Sequence, residues 1–313
     1  MIRVVCVAVA VLLLGAGTAR AQVLPWPGAG TEHLPPDPTV PYLPAVPPVI
    51  CPGGEPACIQ ELADELQRRT LALGCSHDAV FSDAYVTITR ALVDATGTDF
   101  FERPDRVRHE ARTYAQEYLD EYDRWHAGDR GSVSPAWRIA FRAAKRQSVT
   151  AIGDLMLALN AHIRRDNPIR AVEQTEGVLR VPGLMPGASG KPDHERVNTV
   201  LQNAMAPMLA ELARRYDPTV DDLPPLFGTV LDPDGLYSII AAWREESWRN
   251  AEQLRHARAL GGVDGPLYQA KLASIEASAK AGAVAIRAAT RTTRRANAKR
   301  NRYCARRALA SGT

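Results

Sequence analysis

The chain has 313 residues, of which 46% are hydrophobic, and its formal net charge is +3. This apolar content is sufficient for the core of one helical domain, or of two tightly packed halves. Beyond the N-terminal segment, no stretch is long and uncharged enough to span a membrane, which argues against an integral membrane protein.

The N-terminus has the features of an export signal. Arg3 provides a positive charge, an apolar run covers residues 4–14, and Ala19-Arg20-Ala21 forms a small-x-small cleavage site. The apolar run is much shorter than the roughly 20 residues that a membrane-spanning helix needs. We therefore predict a signal peptide over residues 1–21, cleavage near Ala21 and a secreted or extracytoplasmic product.

A proline-rich leader is predicted over residues 22–55. Eleven of the 23 prolines lie between Pro25 and Pro56, and the segment has no apolar periodicity. Segments of this composition are extended or disordered, so we expect the leader to act as a spacer or to wrap around the domain.

After Pro56, apolar residues recur at helical spacing, and no segment alternates apolar and polar residues as a half-buried strand does. The fifth predicted helix ends near Arg165, and Gly- and Pro-rich loops cover residues 182–192 and 217–234. The fold class is therefore predicted to be all-α, with a single bundle-like domain over residues 56–260 and a basic C-terminal helix over residues 261–313. The predicted helices begin at or near Pro56, His77, Pro104, Pro135, Val149, Pro168, Asp193, Leu236 and Pro266.

Four cysteines remain once the signal peptide is removed, which suits disulfides in an oxidising compartment. Sequence alone leaves three pairings open, and we favour a local Cys51–Cys58 loop and a long-range Cys75–Cys304 disulfide. The alternative is a zinc site. It is disfavoured because no C-x-x-C spacing occurs and only His77 follows a cysteine at ligand spacing.

Charge is distributed unevenly along the chain. The segment Lys280–Arg307 contains ten basic residues and no acid, and all 35 acidic residues precede residue 277. We expect this segment to pack on the acidic domain, because Cys304 near its end would hold it there. The alternative is that Lys280–Arg307 binds an anionic surface, an envelope polymer or nucleic acid.

The fifth predicted helix carries a polar group on a face that otherwise buries leucine. His162 and Asp166 are four residues apart, so their side chains can share a metal ion or a proton. Asn160 points elsewhere and is expected to bond a neighbouring helix. Beyond the glycine-rich loop, Asp193, His194 and Asn198 form a second polar group, in which His194 and Asn198 are one turn apart.

Two interpretations of these groups are open. In the first, they are a buried network that joins helices without chemistry, and no cofactor is needed. In the second, a divalent metal activates water for hydrolysis, and asparagine orients the water or the substrate. The candidate metal ligands are His162, Asp166, Asp193 and His194, with Asp78 as a further choice, and the candidate orienting residues are Asn160 and Asn198.

Several motifs resemble those of an uncharacterised all-helical bacterial family of unknown function. The signature helix of that family contains Asn-Ala-His-Ile followed by aspartate, which corresponds to Asn160-Ala161-His162-Ile163 and Asp166. The resemblance spans residues 58–258 and implies an all-helical fold but no established activity. Its other motifs are Phe81…Tyr85, Pro135-Ala136-Trp137-Arg138, Asp193…Val197-Asn198 and Trp243-Arg244…Trp248.

From sequence we thus favour a secreted helical protein with a non-catalytic binding or structural role. A metal-dependent hydrolase and a polyanion-binding basic tail are the alternatives.

Overall fold

In the computed structural model of the chain, the residues described are 54–171, 190–220 and 231–311. They form nine α-helices and one π-helix and contain no β-strand, which confirms the predicted all-α class. The predicted signal peptide and nearly all of the leader lie outside these residues. None of the described helices combines the length and the apolar character that crossing a membrane requires.

Proline marks the first turn of six of the α-helices. Its missing N–H removes no hydrogen bond at that position, and its restricted backbone favours the helical conformation. The helices are α1 (Pro56–Leu73), α2 (Ala79–Thr96), α3 (Pro104–His126), α4 (Pro135–Arg146), α5 (Ala151–Ala161), the π-helix (His162–Ala171), α6 (Lys191–Arg215), α7 (Pro233–Gly261), α8 (Pro266–Ala289) and α9 (Arg294–Ser311).

Helix α5 lies at the centre of the bundle. All of its residues are buried, and it contacts α2, α4 and α8. The Thr150 hydroxyl caps its first turn by accepting a hydrogen bond from the backbone N–H of Gly153. A helix that is buried on every side is surrounded by neighbours. The π-helix that follows therefore begins deep inside the protein.

The π-helix differs from the prediction that one helix ends near Arg165 and another begins at Pro168. The chain passes from α5 into the π-helix without a break, and Pro168 lies inside it. Within an α-helix, the proline ring would conflict with the carbonyl four residues earlier. The wider π turn gives that carbonyl more room. Residues beyond 171 in the predicted sixth helix lie outside the described residues.

The predicted C-terminal helix is in fact two helices, α8 and α9, separated by residues 290–293. The backbone N–H of Thr150 donates to the carbonyl of Thr290, and that of Thr292 donates to Ser148. The Thr290 hydroxyl also donates to a carbonyl of α8. Threonine side chains that bond nearby backbone compete with helix formation, which explains why the helix stops here.

Helix α9 lies across the C-terminal ends of α1, α4 and α6. Arg300 donates to the carbonyl of Cys75, and the Tyr303 hydroxyl donates to the carbonyl of Ala213, each over 3.1 Å. A third bond joins Asn297 to the residue that caps α4. Helix C-termini have unpaired carbonyls and a partial negative charge, so a cationic helix is stable there. Helix α9 thus contacts the domain through backbone carbonyls, which are the partners of these side chains.

The Cys75–Cys304 disulfide joins α9 to the chain after α1, across a sequence separation of 229 residues. This confirms the favoured long-range pairing. The other predicted pairing, Cys51–Cys58, includes Cys51, which lies outside the described residues.

Candidate ligand-binding cavity

A mostly apolar cavity lies between α2, α3, α5, the π-helix, α6 and α7. About 80 Å³ of its volume admits a water-sized sphere. Its polar lining residues include Glu110, Tyr114, His162, His194 and Arg244. The apolar wall consists mainly of Phe81, Tyr85, Ile88, Leu92, Val107, Leu159, Ile163, Val197, Leu201 and Ile240.

His162 is the first residue of the π-helix and is 3% exposed. Its ring stacks on Tyr114, and the ring of Tyr85 meets it edge-on, with the two centroids 4.8 Å apart. Burial lowers the pKa of His162 well below its usual value, so the imidazole is neutral at pH 7. Its Nε2 atom has no hydrogen-bond partner among the described residues. The structure thus places His162 on a cavity wall with one nitrogen unused.

Asp166 belongs to a buried charge network rather than to the cavity lining. Its carboxylate accepts hydrogen bonds from Trp137 Nε1 at 2.8 Å and Arg165 Nη1 at 3.0 Å. His162 Nδ1 lies 3.4 Å from the same carboxylate, at the long limit for a hydrogen bond. Arg165 also pairs with Glu117 and with Glu276. Burial raises the pKa of Asp166 to about 7, although Arg165 opposes the shift.

Asp193 and His194 come together at the start of α6, which begins two residues earlier than predicted. Asp193 accepts hydrogen bonds from the backbone N–H groups of Glu102 and Arg103, both at 2.8 Å, and so satisfies donors at the start of α3. His194 lies on the cavity wall, and its Nδ1 is 3.2 Å from Arg244. Its Nε2, like that of His162, has no partner among the described residues.

The two asparagine candidates have different positions. Asn160 donates to the carbonyl of Ala279 at 2.8 Å, as expected of a residue that bonds a neighbouring helix. Asn198 accepts from Arg244 Nε at 2.7 Å. Asn160 thus joins α5 to α8, whereas Asn198 orients a residue of the cavity wall.

Arg244 is the most unusual residue of the cavity. It is 6% exposed, and its hydrogen-bond partners, Asn198 and the backbone and ring of His194, are all uncharged groups. No carboxylate of the described residues lies within ion-pair distance of it. Glu110 on the same wall stabilises the charge of Arg244 most, with a smaller contribution from Glu195, but burial raises the pKa of Glu110 and disfavours its charged form. Within the described part of the chain, this buried guanidinium therefore has no counter-charge at ion-pair distance.

The described residues contain no group of three His, Cys, Asp or Glu side chains placed to hold a metal ion. His162, Asp193 and His194 all line the cavity, whereas Asp166 is held by Trp137 and Arg165 outside it. Asp78, the further candidate, lies beside His126 at 3.8 Å. The sequence thus located two histidines of one cavity, while the carboxylates nearest to them in sequence have other partners.

Sequence reasoning missed Tyr114, Glu110 and Arg244 as cavity residues. Arg244 follows Ile240 by one helical turn, so a cation interrupts a face that is otherwise apolar. That interruption was a usable signal. Glu110 and Tyr114 are also one turn apart on α3, a pattern that is common on exposed helices and therefore gave no signal.

A family model described as a family of unknown function, DUF5995, matches residues 59–289. The match includes every helix that lines the cavity and ends before α9. No curated protein and no solved structure matches the chain significantly. The resemblance to an uncharacterised helical family is thereby confirmed, and the chain belongs to the DUF5995 family of unknown function.

Proposed function

We propose that this protein is an extracytoplasmic binding protein whose cavity holds a small molecule with an apolar body and a carboxylate. The observation that supports the proposal is Arg244, a buried guanidinium on an apolar cavity wall without a carboxylate at ion-pair distance among the described residues. Buried charges in proteins are normally paired. A ligand carboxylate would supply the pair and form charge-assisted hydrogen bonds with Arg244.

The other polar atoms of the cavity support a ligand of this kind. His162 Nε2, His194 Nε2 and the Tyr114 hydroxyl are buried and lack partners among the described residues. Each such atom costs on the order of 1–3 kcal/mol when it is removed from water. A ligand with hydrogen-bonding atoms would recover part of this cost, which a wholly apolar ligand would not.

The size of the cavity limits the ligand. About 80 Å³ admits a water-sized sphere, compared with the roughly 150 Å³ of an engineered cavity that binds benzene. The proposed ligand is therefore a short aliphatic carboxylate of a few carbon atoms. A larger ligand would require the surrounding helices to separate.

The proposed location rests on the export signal predicted at the N-terminus. The Cys75–Cys304 disulfide supports it, because disulfides persist mainly in oxidising compartments. We do not extend the proposal to a metal-dependent hydrolase. The carboxylates of Asp166 and Asp193 are already engaged with neighbouring donors rather than directed together at an ion.

The test compares butyrate with butanol, which has the same apolar chain and no charge. Calorimetric titration and thermal unfolding are measured on the full mature chain. We expect butyrate to bind and to raise Tm, and butanol to bind at least tenfold more weakly. Arg244→Gln should remove the preference for butyrate, while Arg90→Gln, an exposed cation on α2, should leave it unchanged.

The possible outcomes test ligand binding in the cavity and the role of Arg244 separately. Equal binding of butyrate and butanol would retain the cavity but reject Arg244 as the anion-binding group. Absence of binding by either compound would reject the proposed function. Ala111→Leu, which adds side-chain volume at the cavity wall, should weaken the binding of both compounds. Circular dichroism of each variant establishes that it is folded.

A further inference from the structure

A stripe of four basic residues runs along the exposed side of α9. The residues follow one another at spacings of four, three and four, which places them on one face of the helix. The opposite face carries Asn297, Arg300 and Cys304, all of which are buried. The basic stripe consists of Arg295, Lys299, Arg302 and Arg306, each of which is exposed.

The charges of the basic stripe are not neutralised by neighbours. None of its four side chains forms a hydrogen bond or ion pair with another residue of the described ranges. No acidic residue follows Glu276 in the sequence, although Asp217 lies near the stripe. Like charges one turn apart on a helix repel one another. A bound polyanion would replace this repulsion with attraction.

The basic stripe is held in place before any partner binds. The disulfide of Cys304 and the hydrogen bonds of Asn297, Arg300 and Tyr303 fix α9 across the ends of three helices. A preorganised surface loses little conformational entropy on binding. A free basic tail would lose much more.

A cleft of about 220 Å³ borders the basic stripe. Lys299 and Arg306 of the stripe line it, together with Arg300, which is 4% exposed. The Nε and Nη2 atoms of Arg300 have no hydrogen-bond partner in the described part of the chain. One anionic group in this cleft would therefore contact Lys299 and Arg306 from the exposed face of α9 and Arg300 from its buried face.

We propose that the basic stripe of α9 is a docking surface for a linear anionic polysaccharide. The stripe covers about 16 Å along the helix axis, which suits a single extended chain with closely spaced charges. Three of its four residues are arginines, which bind sulfate and carboxylate groups through two parallel hydrogen bonds.

Two other polyanions fit the surface less well. Single-stranded nucleic acids are bound through aromatic side chains that stack on bases. The stripe contains no aromatic residue, and the nearby Tyr303 is partly buried with its hydroxyl bonded to α6. Anionic membranes bind amphipathic helices through an exposed apolar face. In α9, the face opposite the stripe is instead packed against the domain.

The test uses two variants of the full mature chain that lose the same charge. In the first, Arg295, Lys299, Arg302 and Arg306 are each changed to Gln. In the second, the control, four exposed cations outside the stripe are changed to Gln. The control residues are Arg90, Arg142, Lys280 and Arg287.

The affinity of each protein for a heparin dodecasaccharide is measured at several salt concentrations. We expect the stripe variant to bind at least tenfold more weakly than the wild type at low salt, with a shallower dependence on salt, because fewer counterions are released. The control variant should retain most of the affinity. Equal losses in the two variants, or no loss in the stripe variant, would overturn the proposal.

Two further measurements test the class of polymer. A single-stranded oligonucleotide of matched charge and vesicles with an anionic lipid fraction are titrated under the same conditions. Both should bind more weakly than heparin, whereas stripe-dependent binding of either one that is tighter than heparin would contradict the polysaccharide assignment. A variant with Arg295, Arg302 and Arg306 changed to Lys keeps the charge, and we expect its affinity to be intermediate.

Discussion

The imidazole of His162 lies flat against the phenol ring of Tyr114, with the ring centroids 3.5 Å apart and the planes inclined by 6°. This contact joins the first residue of the π-helix to α3 at the cavity wall. It leaves two buried atoms, His162 Nε2 and the Tyr114 hydroxyl, without hydrogen-bond partners among the described residues. Without a ligand, the cavity wall therefore contains buried polar atoms whose hydrogen-bonding capacity is unused.

Tyr114→Phe should stabilise the ligand-free protein by about 1 kcal/mol, because it removes a buried hydroxyl that forms no well-aligned hydrogen bond, although the Asn167 side chain lies near it. Urea unfolding measures the change. Tyr303→Phe is the matched control, because the Tyr303 hydroxyl donates to the carbonyl of Ala213, and its loss should cost about 1 kcal/mol. Destabilisation by Tyr114→Phe would show that the hydroxyl has a partner in solution.

The two cavity histidines should make the protein less stable at acidic pH. Burial lowers the pKa values of His162 and His194 well below the usual value, so below about pH 6.5 the unfolded chain binds protons that the folded protein does not. Stability therefore falls as the pH decreases from about 6.5. His162→Phe, which keeps a ring against Tyr114, should reduce this fall between pH 6.5 and 5, as measured by urea unfolding.

The control for that measurement is His256→Gln on α7, which should leave the dependence on pH unchanged because His256 lies outside the cavity. An identical profile for His162→Phe and the wild type would contradict the assignment of a buried, neutral imidazole.

Asp166 should have the opposite effect on stability. Its pKa of about 7 lies above that of an unfolded aspartate, about 3.9, so the folded protein keeps a proton that the unfolded chain has lost. This contribution is fully present below about pH 4 and is lost as the pH rises to about 7. Asp78 and Glu121, whose pKa values burial also raises to about 7, act in the same direction.

Asp166→Asn removes this titration. Relative to the wild type, it should lower the free energy of unfolding less at pH 8 than at pH 5. Free energies of unfolding at the two pH values provide the comparison. The control is Asp129→Asn, in an exposed loop, which should have the same small effect on the free energy of unfolding at both pH values. A larger cost of Asp166→Asn at pH 8 would show that the ionised carboxylate, paired with Arg165, is the stable form.

Removal of the Cys75–Cys304 disulfide should destabilise the protein by about 3–5 kcal/mol. The expected size reflects the entropy of the unfolded chain, which a bond between residues so far apart restricts strongly. Thermal unfolding of the Cys75→Ala/Cys304→Ala double variant measures the loss. Hydrogen exchange should show that α9 loses protection first, and uniform loss across the domain would argue against a local role in holding α9.

Gly282→Ala should cost about 1–3 kcal/mol. A Cβ atom at this position would lie 2.3 Å from Asn160 Oδ1 and 2.6 Å from Arg164 Nη1. Asn160 cannot easily move away, since it is buried and bonded to Ala279. Gly261→Ala, with nothing within 4 Å of its added carbon, is the control and should be neutral or stabilising. A neutral Gly282→Ala would mean that α5 and α8 separate without cost.

Several elements of the fold could be read from local sequence. The starts of α1, α3, α4 and α8 follow from proline, because its effect depends only on the residue and its position in the turn. Other boundaries could not be read in this way. The π-helix and the division between α8 and α9 depend on contacts with distant segments, such as the pairing of residues 290–292 with residues 148–150.

The residues of the cavity likewise divide into those that local sequence identified and those that only the structure identified. Sequence singled out His162 and His194 because each is a polar residue beside an apolar helical face. It paired His162 with Asp166 and His194 with Asn198, each one helical turn away, and added Asp193 as a candidate metal ligand. The structure gives both carboxylates other partners and places Tyr114 and Arg244 against the histidines instead.

The amino-acid sequence by itself determined that this protein is all-helical, where most helices begin and that its basic segment carries no acid, because these properties depend on residues close together in the chain. Only the tertiary structure decided which polar side chains share the cavity and which face of α9 remains exposed. The physical reason is that those contacts join distant residues, and they arise from how the helices pack around α5.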